Sequence, residues 1–165
     1  MHRERICSYR KILISSMSLW LAASAHAADR TRTEKPEFLN SPQAEQRDFP
    51  FSEAVRAGDL LFLSGQIGDD PATGRVVPGG IVPEARQTFR HIRDVLERNG
   101  ASLADVVKCT VFLADIAEWG AFNTTYREFF RKPYPARSAL GASGLALGAR
   151  VEVECIAYAP VKRAR

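Results

Sequence analysis

The run Val151-Glu152-Val153-Glu154-Cys155 constrains the fold more than any other stretch, because apolar and charged side chains alternate along it. Alternation with a period of two marks a strand with one buried face and one wet face, so both carboxylates fall on the same side. The strand is expected to continue to Ala159. Upstream, Tyr134-Pro135-Ala136 leads into Arg137. A proline there disfavours helix and places Arg137 at the start of an extended segment. An arginine and a glutamate brought together on a strand-lined surface can grip a carboxylate and place a water. Arg137 and Glu152 are therefore the centre of the functional reading.

Charge and composition remove several alternatives. The formal net charge of +4 suggests a polyanion partner until it is divided along the chain. Residues 1–27 carry Arg3, Arg5, Arg10 and Lys11 against Glu4, which leaves 19 basic and 18 acidic side chains, or +1, for residues 28–165. A nearly neutral body argues against nucleic-acid binding, which depends on many phosphate-neutralising cations. Of three histidines only His91 lies in that body, which excludes three-histidine and HExxH metal sites. Cys7, Cys109 and Cys155 form no CxxC pair, so a structural zinc is not expected. A chain of 165 residues, 45% of them apolar, suits one domain with a substantial core and some excess at its ends.

That excess begins at the N-terminus. Four basic residues precede ILISSMSLWLAASA, and Ala25-His26-Ala27 follows. A basic start, a short apolar run and a small-x-small site define a secretory signal peptide over residues 1–27. The alternative is an uncleaved anchor, but Ser15, Ser16 and Ser18 interrupt a run that would need ~20 largely apolar residues to span a bilayer. The expected mature protein is exported, periplasmic or secreted, and free of the membrane once the signal is cut. Residues 28–48 are polar, contain Pro36 and Pro42, and read as an exposed lead-in. The domain proper is expected over 49–160, followed by a basic tail, 161–165, with Lys162, Arg163 and Arg165.

Within the domain, Glu53 to Ala57 and Leu60 to Leu63 flank Gly58-Asp59 and read as a hairpin. Gly65 then marks either a bulge or a place where something approaches the backbone closely. Asp69 to Gly74 is a turn, and Arg75-Val76-Val77 a short strand. Residues 83–99 carry Ala85, Phe89, Ile92 and Leu96 on one stripe and predict an amphipathic helix. His91 lies off that stripe and reads as a solvated side chain, with Arg86, Arg90, Arg93 and Arg98 on the wet face. Ser102 to Asp105 is a capped turn before a strand over Val106 to Leu113. Asp115 and Glu118 have capping-box spacing ahead of a second helix with a Trp119, Phe122, Tyr126, Phe129/Phe130 stripe, read as core. Asn123 sits beside that stripe. Cys109 and Cys155 fall on the apolar phase of two strands and read as buried thiols; export would also permit a disulfide between them, provided strand geometry places their α-carbons within ~7 Å. The element order argues an α+β sheet covered on one face by two helices.

Taken in order, Ser64-Gly65-Gln66-Ile67, EARQTFRHIRDVL, VVKCTVFLADI, FNTTYREFF, PARSAL and VEVECIAY resemble the RidA family, also called YjgF. The resemblance covers about Pro50 to Ala159. It implies a chorismate-mutase-like α+β fold, a mixed sheet of about six strands with two helices on one face, assembling as a homotrimer with ligand clefts between subunits. It implies hydrolysis of reactive 2-imino or enamino acids to 2-keto acids and ammonia, with no cofactor. By the same resemblance Arg137 binds the substrate carboxylate, Glu152 orients or deprotonates the attacking water, and Asn123, the Gly65 backbone and Phe51 line the cleft. Phe51 stands where many members have tyrosine, keeping the ring without its hydroxyl, and Ala139 where many have cysteine. Two other readings remain open at this point: a module that binds a small carboxylate without turnover, and an RNA-acting or chaperone-like member.

Overall fold

The last strand of the sheet is also its middle. In the computed structural model, which describes residues 35–161, strand β9 (Val151–Tyr158) lies between β3 (Leu60–Leu63) and β7 (Val106–Leu113). The complete order is β1-β2-β3-β9-β7-β8, where β1 is Glu37–Leu39, β2 Ala54–Ala57 and β8 Ala136–Gly141. A seventh strand, β4 (Gln66–Ile67), pairs with the start of β9 beyond the end of β3. Neighbours are antiparallel except β7 and β8, which run parallel across the connection that contains a helix. The sheet is thus mixed, as expected, with one strand more than the six anticipated. The hairpin turn forms at Gly58, whose φ of 59° is the left-handed conformation that glycine adopts without penalty. Arg75-Val76 leaves the main sheet altogether and pairs with Asp69-Asp70 as a separate hairpin, β5 and β6.

Two helices cover one face, α2 over Ile81–Arg98 and α3 over Trp119–Phe129. Phe89, Ile92 and Leu96 of α2 are fully buried against Leu61, Val111, Val151 and Val153 of the sheet. Phe89 is the hub of the core, with its ring 5.1–5.7 Å from those of Phe122, Tyr126, Phe129 and Phe130. Trp119, the first residue of α3, departs from the expected stripe and is 48% exposed, whereas Phe122 and Tyr126 of the same helix are buried. The capping box at Asp115 is also only half formed. Asp115 accepts the Ala117 N–H, whereas Glu118 turns to Arg150 and pairs with it at 2.6 Å. At Ser102 the box is complete, Asp105 accepting from both the backbone N–H and the hydroxyl of Ser102.

Two further expectations are corrected. The lead-in is structured from Glu37 onward: β1 pairs with the edge of β2, and helix α1 (Pro42–Arg47) follows, with the Ser41 hydroxyl accepting the Ala44 N–H. An open strand edge supplies the hydrogen-bond partners that a polar segment lacks by itself. Cys109 and Cys155, expected as thiols, face each other in register across β7 and β9 with α-carbons 4.1 Å apart, and are joined as a disulfide. The expected signal peptide over residues 1–27, the rest of the lead-in up to residue 34 and the basic tail from Lys162 onward lie outside the described residues.

Candidate active site

Arg137 reaches its place through three elements. Edge strand β8 pairs with β7 so that Arg137 stands beside Cys109, a core-facing residue, and points to the helix side of the sheet. There α3 presents Phe122 and Tyr126, one turn apart, with Asn123 flanking them. The Arg137 guanidinium carbon lies 4.5 Å from the Tyr126 ring centroid and 5.7 Å from that of Phe122. The electron-rich faces of the rings attract the cation and hold its plane. One Nη2–H donates to Asn123 Oδ1 at 2.6 Å. Among the described residues no carboxylate pairs with Arg137, so its other N–H groups are available to a ligand. Burial pushes the Tyr126 hydroxyl up to about 12, with Arg137 pulling it back slightly and Tyr134 adding to the rise, so the platform under the arginine stays neutral. Tyr126 and Phe122 were legible only as core. They are core, and they also carry the arginine.

Glu152 belongs to a different neighbourhood. Val151 and Val153 face the helices and are fully buried, so Glu152 and Glu154 project from the opposite, open face. Glu152 stands opposite Ile67 of β4 and opposite Phe112 of β7. Its carboxylate lies directly over Gly65, where a Cβ would overlap Oε1 and come within 2.8 Å of Cδ. Gly65 is therefore a close-approach position and not merely a bulge. Ser64 links this corner to the chain before β2: its N–H donates to Glu53 O at 3.0 Å and its hydroxyl to Ser52 O at 2.6 Å. That places Phe51, 54% exposed and stacked on Phe49 at 5.1 Å, in the loop next to Ser64-Gly65.

The expected residues thus assemble as two groups. Arg137 and Asn123 meet on the helix side, while Glu152 and Gly65 meet on the open side with the Phe51 loop alongside. The expectation that one surface brings Arg137 to Glu152 does not hold within a single chain. The sheet lies between them, because the register that pairs Arg137 with a core-facing cysteine and the alternation that buries Val151 and Val153 point the two side chains in opposite directions.

Helix α2 braces the second group. Glu84 is fully buried, and its Oε1 accepts the Arg150 N–H at 2.6 Å and the Val151 N–H at 3.1 Å, immediately before Glu152. Burial raises the Glu84 carboxyl above its ordinary value, against the pull of those two bonds and of the Arg150 charge. His91 is not the solvated side chain expected. It is 15% exposed, with Nδ1 3.0 Å from the Ile67 carbonyl oxygen and 3.4 Å from Asp69 Oδ1. Among the described residues no cluster of His, Cys, Asp and Glu is arranged to hold a metal ion.

Fold and side chains together define a class: a small α+β protein with two helices on one face of a mixed sheet and an uncommitted arginine on its edge strand. The chain belongs to the RidA (YjgF) family; the family model described as Endoribonuclease L-PSP matches residues 40–159. A 2-iminobutanoate/2-iminopropanoate deaminase of Bos taurus is 43% identical over 121 residues, 73% of this chain and 88% of that protein. One from Dermatophagoides farinae is 42% identical over 118 residues, 72% of this chain and 92% of that protein. Among solved structures, RidA from an Antarctic Psychrobacter superposes with a TM-score of 0.65 at 37% identity, covering 67% of this chain and 89% of its own. A protein from Entamoeba histolytica described as a putative endoribonuclease L-PSP gives 0.69 at 40% identity, covering 75% and 99%.

Proposed function

We propose that this chain hydrolyses 2-imino acids to 2-keto acids and ammonia, in a site that closes between two copies of itself. Arg137 of one copy takes the substrate carboxylate through parallel N–H bonds, a geometry that its planar fork supplies and lysine does not. Glu152 of the next copy, seated over Gly65, accepts a proton from water as the water oxygen bonds to the imine carbon. Glu152 returns that proton to the nitrogen, giving a neutral carbinolamine, and then relays the hydroxyl proton to the same nitrogen, so that ammonia leaves and C=O replaces C=N. Relatives named as 2-iminobutanoate/2-iminopropanoate deaminases support the reaction. The observation that carries the shared site is the opposite facing of Arg137 and Glu152 across one sheet.

The assembly that fits is a cyclic homotrimer. Its proposed contact is the open face, where Leu60, Phe62 and Tyr158 are 37–52% exposed. A sheet face with large apolar side chains on it is buried by a partner more economically than by water. The proposed location is outside the cytoplasm, on two grounds: the N-terminal signal pattern, and the Cys109–Cys155 disulfide, a bond that persists in oxidising compartments.

The test mixes two inactive variants, Arg137→Ala and Glu152→Gln, by unfolding and refolding them together in equal amounts. Random cyclic mixing rebuilds one intact site in four, so about a quarter of wild-type turnover should return. Turnover is read as loss of semicarbazide-trapped imine made in situ by an amino-acid oxidase. No recovery on mixing would place both residues in one chain's site or remove one from the reaction. A wild-type protein that binds small 2-keto acids without turning over any imine would leave a carboxylate-binding module, which the missing hydroxyl at Phe51 favours.

A further inference from the structure

We infer that His91 is a positioning residue for the Glu152 half of the site, acting through the backbone of Ile67; the inference rests on the deaminase reading above. The ring's protonation follows from its neighbours. Arg90 donates to Gln87 Oε1 at 3.3 Å, which turns the Gln87 amide nitrogen toward His91 Nε2 at 2.8 Å. Nε2 is therefore the acceptor, and the proton sits on Nδ1. From there it is directed at the Ile67 carbonyl, 3.0 Å away, with Asp69 Oδ1 at 3.4 Å on the same side. Asp69 is held in turn by Arg47 of α1, 3.4 Å from its other oxygen.

The position of the accepting carbonyl gives this bond its consequence. Ile67 is the register partner of Glu152, and Gly65, two residues earlier, is the surface on which the Glu152 carboxylate rests. Strand β4 is only two residues long, too short to hold its own place by ladder bonds alone. Helix α2 supplies what is missing at both ends of the pair. His91 anchors β4, and Glu84 anchors the Arg150-Val151 backbone that leads into Glu152. No comparable contact runs from His91 to Arg137 or Asn123, whose bonds lie with α3 and β8. His91 should therefore govern what Glu152 does and leave the grip of Arg137 on the carboxylate alone.

Two substitutions separate this role from simple packing. Leu at position 91 fills much of the same space without an N–H. Asn places Nδ2 the same number of bonds from the backbone as Nδ1 of histidine, so it can restore the bond to Ile67. His91→Leu is expected to lower kcat by about tenfold or more, the scale on which small misplacements of a reacting group act, with KM within about twofold of wild type. His91→Asn should recover kcat to within about threefold of wild type by restoring the same geometry. A second readout does not need turnover: the Glu152 carboxyl carbon, followed by 13C NMR, should shift in His91→Leu and return in His91→Asn. A kcat and a Glu152 resonance both unchanged in His91→Leu would overturn the inference and leave the deaminase reading standing. So would an asparagine variant as impaired as the leucine one. If wild type turns over no imine, the deaminase reading fails, and the Glu152 resonance alone decides whether His91 positions that side chain.

Discussion

Glu152 Oε1 occupies the space that a side chain at Gly65 would need. The same conflict occurs at Gly68, but there the opposing atoms are the Glu84 carbonyl oxygen, carbon and Cγ, part of a helix that cannot step aside. These two glycines, three residues apart, should therefore fail in different ways. Gly65→Ala displaces the flexible end of Glu152 and should cost turnover on the scale of Glu152→Gln, while changing stability by less than about 1 kcal/mol. Gly68→Ala drives a methyl into backbone and should destabilise by roughly 1–3 kcal/mol. Urea unfolding and kcat, measured on both variants, check the contrast.

Arg137→Lys keeps the charge and loses the fork. The ammonium cannot make two parallel bonds to a carboxylate, and it cannot lie flat on Tyr126 as the guanidinium does. A charge-assisted bond is worth about 1.5–3 kcal/mol, so kcat/KM should fall roughly ten- to hundredfold. Most of the loss should appear in KM, which steady-state kinetics will show.

Glu84 predicts the shape of the pH–stability curve. Its folded-state value lies above the ordinary 4.5 because burial disfavours the charged form. The folded chain then holds this proton more tightly than the unfolded chain does. That contribution is fully present below 4.5 and is lost as pH rises through the folded value. Glu84→Gln keeps an acceptor for the Arg150 and Val151 N–H groups with no charge to bury. The variant should unfold at a higher urea concentration than wild type at neutral pH, and the gap should close on acidification below 4.5. Urea midpoints across the acid range test both parts.

The Cys109–Cys155 disulfide closes a separation of 46 residues, for which loop-closure entropy gives about 4 kcal/mol. In protein cut after Ala27, no thiol should react with an alkylating agent under denaturing, non-reducing conditions, and two should react after reduction. The Cys109→Ala, Cys155→Ala double variant should lose stability of that order, measured in urea.

Much of this molecule could be read in advance. The β9 alternation, the α2 stripe, the Gly58 hairpin and the Ser102 capping box are local patterns, and each formed where its residues placed it. The lead-in was missed because β1 owes its form to the edge of β2, and a partner far along the chain leaves no local mark. The disulfide was missed for a related reason: apolar phase puts Cys109 and Cys155 on one face, but only strand register puts them opposite each other. Of the candidate site residues, Arg137, Asn123, Glu152 and Gly65 were singled out in advance, and the structure brings Arg137 to Asn123 and Glu152 to Gly65. What could not be read was the sheet standing between Arg137 and Glu152, since the facing of β8 depends on its parallel register with β7. His91 was misread because its off-stripe position looks wet until β4 is laid against α2.

The placement of β9 has a consequence for synthesis. Among the described residues, strands β1 to β3 and strands β7 and β8 hydrogen-bond to one another only through β9, which follows all of them in the chain. A nascent chain that stops before Val151 has two half-sheets with no ladder between them, each with an unfilled edge. The sheet cannot close until β9 has emerged, and a nonsense codon anywhere before residue 151 should yield aggregates or proteolytic fragments, not a shortened enzyme.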